Sequence, residues 1–361
     1  MTTGLVKFTD NGALYDAHKD EYLSAIDSVL SSGNWQGDDS TREFEELLKE
    51  DTNSKHALMV SSGTEALYLS MRALKSDKTD VICPAFSFPA TASTILRAGM
   101  KPVFVDVDYA GKLAYPSDGK IPDSVGLIIP VNIFGFGFLT HPKETHPDFY
   151  NRYIYDNAQG YQGKYTQEFG KATALSFDPM KNLPAFGSAG AIVTDDDFLA
   201  FLLKGLRKND PYSTIPSQNS QASAATSAGL IVSRRYLHDW QYKRLQIANN
   251  YIYGLSGSLG ALDQSMLIPS SHHKFPIFHE KRDQLKHFLS TRGIETKIHY
   301  PYTLPELEQF GGMSEEDAKE KFPHAYRISR TELSLPIHPA MESEQVKHVI
   351  DSVNTFVENN Y

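Results

Sequence analysis

Cysteine is nearly absent: Cys83 is the only one in 361 residues. No internal disulfide can form, and a reducing cytoplasm is the expected setting. An excess of positive charge is missing too. There are 35 Lys and Arg against 44 Asp and Glu, a net charge of -9, which argues against a general binder of nucleic acid or of a membrane surface. The basic pairs Arg207-Lys208, Arg234-Arg235 and Lys243-Arg244 never lengthen into a block and read as solvated helix faces. Long apolar runs are lacking. The most apolar window, 125–140, is interrupted by Pro130, Asn132, Gly135 and Gly137 and is shorter than the roughly 20 residues of a membrane span. It reads as a buried strand running into a glycine loop. The opening residues carry no apolar stretch followed by a small-residue cleavage site, so no secretion signal is expected. The 13 histidines form no ligand pattern. His141 and His146 are separated by loop residues and prolines, and the adjacent His272 and His273 would point apart on a strand, so no metal site is expected. There is no internal repeat.

What is present is ordinary globular material, 40% apolar and 22% charged, long enough for a large domain and a smaller one. Residues 17–31 and 40–50 read as amphipathic helices. "HALMV" is of strand length and runs into "SSGTEALYLSMRAL", a tight turn and a helix. Strands "DVICPA", "KPVFVDVD", "GLIIPV" and "RYIYDNA" follow, with the helix "PATASTILRAG" among them. Such alternation predicts an α/β fold with a mostly parallel sheet covered by helices on both faces, and ligands then bind at the carboxyl ends of the strands. Residues 213–228 are small and polar and read as a loop entering a small-residue helix. A long amphipathic helix from Ser233 leads to a small α+β unit: strand "KFPIFHE", helix "KRDQLKHFLSTRG", strand "IETKIHYP", a loop, and helix "ESEQVKHVIDSVNTFVE". The division expected is 1–235, a large part with an N-terminal helical segment, and 236–361, a small C-terminal part.

Three features suggest chemistry. Lys181 is a lone cation between two apolar runs, "ALSFDPMKNLPAFGSAGAIVT". It is an exposed lysine, the partner of a buried acid, or a desolvated amine able to form a Schiff base. Asp156 ends an apolar strand, where it either caps the next turn or pairs with a cationic ring nitrogen. The helix opening "SSGTEA" offers free N–H groups, a close approach at Gly63 and the Thr64 hydroxyl, an arrangement suited to a phosphate. Singly each is weak. Together with Ser176 they supply what pyridoxal phosphate requires: an amine, a phosphate cradle, and a carboxylate that keeps the ring an electron sink.

These segments carry a resemblance. "GNWQGDDSTREFEELL", "VSSGTEALYLSMRAL", "CPAFSFPATASTILRAGMKPVFVDVD", "YDNAQGYQG", "LSFDPMKNLPAFGSAGAIVT", "RGIETKIHYP" and "LSLPIHPAMESEQVKHVI" resemble, in order and over nearly the whole chain, the DegT/DnrJ/EryC1/StrS sugar aminotransferases. The resemblance implies an aspartate-aminotransferase-like fold of type I, with a large domain holding a mostly parallel mixed sheet and a small α+β domain. It also implies a pyridoxal 5′-phosphate enzyme working by ping-pong through pyridoxamine 5′-phosphate, with L-glutamate as donor and a nucleotide-linked keto sugar as acceptor. Lys181 would bond the cofactor and shuttle the proton. Asp156 would pair with the ring nitrogen, Gln159 would lie near the ring and its 3-hydroxyl, and Phe88 would stack on the other face. Gly63, Thr64 and Ser176 would hold the phosphate, and Asn219 would reach the partner's phosphate across a homodimer. The spacing "KNLPAFGSAGA" resembles a subgroup often acting at the sugar 3-position, and the family builds deoxyamino sugars for O-antigens and other polysaccharides.

The chain departs from the family pattern at Asp178, Ser188, Gln221, Ser223, Thr226-Ser227 and Asn132, which bears on the substrate more than on the cofactor. Two other readings share the fold. A dehydrating branch replaces the lysine with histidine, and retention of Lys181 argues against it. A catalytically silent, cofactor-binding regulator would usually add a DNA-binding module and a basic region, and this acidic sequence shows neither.

Overall fold

The computed structural model describes residues 4–36, 39–113, 121–137, 147–167, 169–212, 215–255 and 270–360. His141, His146 and the last residues of the apolar window lie outside the described residues.

Seven strands organise the large part: β1 (His56–Val60), β2 (Asp80–Pro84), β3 (Lys101–Val105), β4 (Val125–Ile128), β5 (Ile154–Asp156), β6 (Ala172–Ser176) and β7 (Gly190–Thr194). They pair as β3-β2-β4 and β1-β7-β6-β5. Parallel bridges Ile128↔Tyr153 and Val131↔Asp156 join the two groups into one sheet. Only β7 runs antiparallel, against β1 and β6, so the mixed but mostly parallel sheet is as the sequence predicts.

Alternation along the strands supplies two cores. On one side Leu58, Val60, Ala174 and Ile192 pack with Met71 and Leu203. These belong to α4 (Gly63–Leu74) and α6 (Asp197–Leu206). On the other side Ala57, Met59, Leu175 and Val193 pack with Phe44 and Trp240, from α3 (Asp39–Thr52) and α7 (Ala224–Gly254). The helix expected over 17–31 is α2 (Lys19–Ser32), and a short unexpected helix, α1 (Asn11–Ala17), precedes it, set off by His18, which leaves helical geometry at φ -135°. Helix α5 (Pro89–Arg97) opens with proline at its first turn, where the missing N–H costs nothing.

Helix α7 starts nine residues before the one read from Ser233. Ser223 caps it by accepting the Thr226 N–H at 3.3 Å, which gives one of the departures from the family pattern a structural role. The same helix then reaches the C-terminal part, where Ile247, Ala248 and Tyr251 pack with Phe275, Leu285, Leu333 and Val349. That part holds β8 (Phe275–Phe278), α8 (Arg282–Thr291), α9 (Glu315–Lys321), α10 (Pro323–Thr331), β9 (Glu332–Leu335) and α11 (Ser343–Glu358), with β8 and β9 antiparallel. Val6 belongs to the same core. The strand read at "IETKIHYP" does not form. Its residues make only the single bridges Val6↔Ile294 and Lys297↔Ser334, the second on the edge of β9 that β8 leaves free, and the ladder stops there because the His299 N–H goes to the Glu332 carboxyl at 2.6 Å. Helices α9 and α10 occupy what reads as loop. Among the described residues no helix is long and apolar enough to cross a membrane.

Candidate active site

A cavity of ≈ 390 Å³ opens at the carboxyl ends of β1, β5 and β6, the position that a parallel sheet reserves for ligands. Its floor is the start of α4. Ser62 caps this helix, accepting the Glu65 N–H at 3.1 Å, and Gly63 and Thr64 line the cavity. Gly63 is required by contact. A Cβ there would stand 2.7 Å from the Ser176 Cβ and 3.1 Å from its Oγ. The close approach places the Ser176 hydroxyl, at the end of β6, beside the first N–H groups of a 12-residue helix. That is an anion cradle of backbone donors, hydroxyls and a helix dipole.

Asp156 ends β5, 5% exposed. Its Oδ2 accepts the Thr91 hydroxyl at 3.0 Å and its Oδ1 the Ala158 N–H at 3.2 Å. Burial pushes its carboxyl up, opposed by those two donors and by Lys181. Lys181 follows β6 on a turn closed by its own N–H to the Asp178 carbonyl at 2.8 Å. Asp178 accepts the Met180 N–H at 2.9 Å, so its carboxylate shapes this turn. Burial lowers the basicity of Lys181 against the opposing pull of Asp156 and Asp178. A larger share of the amine is then free to act as a nucleophile near neutral pH.

Gln159 is fixed by accepting the Phe134 N–H at 2.8 Å, with its amide 3.5 Å from the Tyr300 hydroxyl. Phe88, 53% exposed, stands at the cavity mouth, its ring centre 5.8 Å from that of Tyr300. The structure thus brings Gly63, Thr64, Phe88, Asp156, Gln159, Ser176 and Lys181 into one cavity, with Ser188 beside them. Asn219 does not line it. It is exposed and 3.5 Å from Gln36, one residue from Ser220, whose carbonyl accepts the Ser61 N–H at 2.7 Å.

The far wall comes from residues that pattern reading passes over: His273, Lys274, Lys297, His299 and Tyr300. His272 and His273 do point apart, but from a turn rather than a strand. His272 sits at φ +46° and faces a second cavity, while His273 faces this one and bonds Asn182 at 3.2 Å. Burial drives His299 down to about 3, so its imidazole is neutral at neutral pH where it faces the cavity beside Lys274 and Lys297.

Fold and pocket together define an aminotransferase of fold type I. The chain belongs to the DegT/DnrJ/EryC1/StrS aminotransferase family, whose model matches residues 16–354. It is similar to a pleiotropic regulatory protein of Geobacillus stearothermophilus, 30% identical over 97% of this chain and 98% of that one. It is also similar to a dTDP-3-amino-3,4,6-trideoxy-alpha-D-glucose transaminase of Streptomyces venezuelae, 30% identical over 99% and 97%. Among solved structures, S. venezuelae DesV superposes with a TM-score of 0.90, at 30% identity and covering 99% of both chains.

Proposed function

We propose that this aminotransferase moves an amino group from L-glutamate to the keto group of a nucleotide-linked deoxysugar, with pyridoxal 5′-phosphate as its cofactor. One observation carries the reading: Lys181, Asp156 and the Gly63–Ser176 cradle share a single cavity. The residues fit that cofactor. The cradle exists only because position 63 lacks a Cβ, the carboxyl is buried, and the amine is depressed in basicity. When bound, pyridoxal phosphate supplies an aldehyde for an amine and a ring that accepts electrons.

The side chains divide the remaining work. Gly63, Thr64 and Ser176 bind the phosphate. Asp156, held by Thr91, pairs with the ring nitrogen. Gln159 and Phe88, which line the same cavity, would contact the ring. Lys181 Nζ takes the proton from the donor's α-carbon in one half-reaction and delivers one to the sugar carbon in the other. Asn219 extends from one protomer toward the partner's phosphate, which makes a homodimer part of the reading. On this reading the chain divides into a cofactor-holding part, 1–235, and a smaller C-terminal part, 236–361, both of which contribute lining to the same cavity. The nucleotide sugar in the name of the Streptomyces relative supports the acceptor class, and the "KNLPAFGSAGA" spacing supports the 3-keto position. Lys181 in the position of a reacting amine favours transamination over dehydration.

The test is spectroscopic. Purified protein given pyridoxal phosphate should turn yellow. L-Glutamate should bleach the band with release of 2-oxoglutarate, and a keto-sugar nucleotide should restore it. Lys181→Ala should abolish all three. A colourless wild type sinks the reading.

A further inference from the structure

Two lysines on the far wall are left unused by the chemistry above. Lys274 directly precedes β8 and is 6% exposed. Its Nζ stands 5.0 Å from the centre of the Phe8 ring, and Lys297 Nζ stands 5.1 Å from the same ring. Backbone bonds fix both. Lys274 N–H donates to the Phe134 carbonyl at 3.1 Å, and Lys297 exchanges bonds with Ser334 at 3.2 and 2.8 Å. Both line the cavity that holds Lys181. Among the described residues neither ammonium has a carboxylate within ion-pair distance, and the carboxyl that acts on Lys274 is that of Glu332.

The carboxyl groups nearby are engaged elsewhere. Glu332 is fully buried and accepts the His299 N–H at 2.6 Å and the Ser334 hydroxyl at 2.5 Å. Burial raises its pKa to about 8, so it is mostly protonated at neutral pH. The Glu295 carboxylate accepts the Phe8 N–H at 2.8 Å. Lys274 has Lys181, Arg244 and Lys297 as cationic neighbours, which add to burial in depressing its basicity against the weaker opposing pull of Glu332. A cation buried without a counter-charge is costly, and the cation–π contact with Phe8 offsets only a part of that. The missing counter-charge has an open path to this wall through the cavity.

We propose that Lys274 and Lys297 form a second anion site, taking a carboxylate or phosphate group of the substrate while the Gly63–Ser176 cradle takes that of the cofactor. The site rests on the aminotransferase reading for its role, though not for its existence. Two sources carry the chemistry: the carboxylates of the amino donor, and an anionic group on the acceptor.

The test is isothermal titration of the protein supplied with pyridoxal phosphate, using 2-oxoglutarate and inorganic phosphate as separate probes. Wild type is compared with Lys274→Met and Lys297→Met. Each variant should weaken at least one probe by about tenfold or more, the scale of a lost hydrogen bond to a charged group. Weakened 2-oxoglutarate assigns the site to the donor, and weakened phosphate assigns it to a phosphorylated group. A wild type that binds neither probe, or variants that bind both as tightly as wild type, overturns the site. Lys297 is exposed, so Lys297→Met reports even where Lys274→Met folds poorly. A protein that never turns yellow but loses the probes in these variants keeps the anion site and rejects the aminotransferase reading.

Discussion

The Thr91 hydroxyl donates to Asp156 Oδ2 at 3.0 Å and is itself 2.9 Å from Ser87 Oγ. Thr91 is fully buried in the first turn of α5, and it is absent from the cavity lining. It is a positioning residue, acting through Asp156. Thr91→Val keeps the shape and removes a hydrogen bond to a charged group, worth about 1.5–3 kcal/mol. Cofactor affinity should fall by about tenfold, and the pH at which the visible band changes should move. A purely structural Thr91 would lower the melting temperature and leave that pH unchanged.

Gly63→Ala puts a Cβ 2.7 Å from the Ser176 Cβ. Neither residue can retreat readily, because β6 pairs with β5 and β7. Overpacking of this kind costs about 1–3 kcal/mol, and the cradle opens. Equilibrium dialysis should show cofactor retention lost by more than the change in urea midpoint accounts for. Gly12→Ala, whose Cβ would be 3.6 Å from Asp10 Oδ1, should leave both unchanged.

How much of this could be read from the chain depends on distance in sequence. The cradle, Asp156 and Lys181 each sit within a few residues of a strand end, so a strand followed by a turn announces them. Lys274 and Lys297 lie more than ninety residues beyond Lys181. A lysine before "FPIF" or within "IETKIHYP" has no local mark of its role, since only packing of the C-terminal part over the sheet brings it to the cavity. "IETKIHYP" misleads for a related reason. Apolar alternation shows that a segment can pair, but the pairing with β9 ends after Lys297↔Ser334, where the Glu332 side chain takes the His299 N–H.

Asp51 is 3% exposed and accepts Arg234 through both oxygens, at 2.7 and 2.6 Å, with the Tyr161 hydroxyl at 2.5 Å. The cluster ties α3 to α7 and to the loop after β5. Asp51→Asn leaves the guanidinium without its counter-charge, at a cost of about 3 kcal/mol. Denaturant unfolding should show that loss, and Asp51→Asn with Arg234→Met should recover part of it.

Stability should have two opposed pH limbs. Burial holds His272 and His338 down to about 4 and His299 to about 3, against an ordinary 6.5. Their contribution is present above 6.5 and lost as pH falls toward 3–4, because the unfolded chain binds the protons first. Glu332 has the opposite sign. Its pKa rises from 4.5 to about 8, so its contribution is full below 4.5 and lost as pH climbs through 8. Glu332→Gln should therefore gain stability on the wild type as pH goes from 5 to 9. Urea midpoints across that range measure it, and a constant gap would refute it.

Lys274 offers the sharpest separation of function from stability. An amine this buried, with Lys181, Arg244 and Lys297 for neighbours and a protonated Glu332 behind it, destabilises the empty fold. Lys274→Met removes the charge and keeps the length of an apolar stem. The variant should melt higher than wild type, by ~1 °C for each kcal/mol regained, while losing the anion probe. Adding that probe should raise the wild-type melting point and leave the variant's where it is. Stability given up at a site that binds is the pattern of a functional residue. A lysine retained for packing would give the reverse: a variant that melts lower and binds its anion as before. Differential scanning calorimetry with and without 2-oxoglutarate or phosphate distinguishes the two in one experiment.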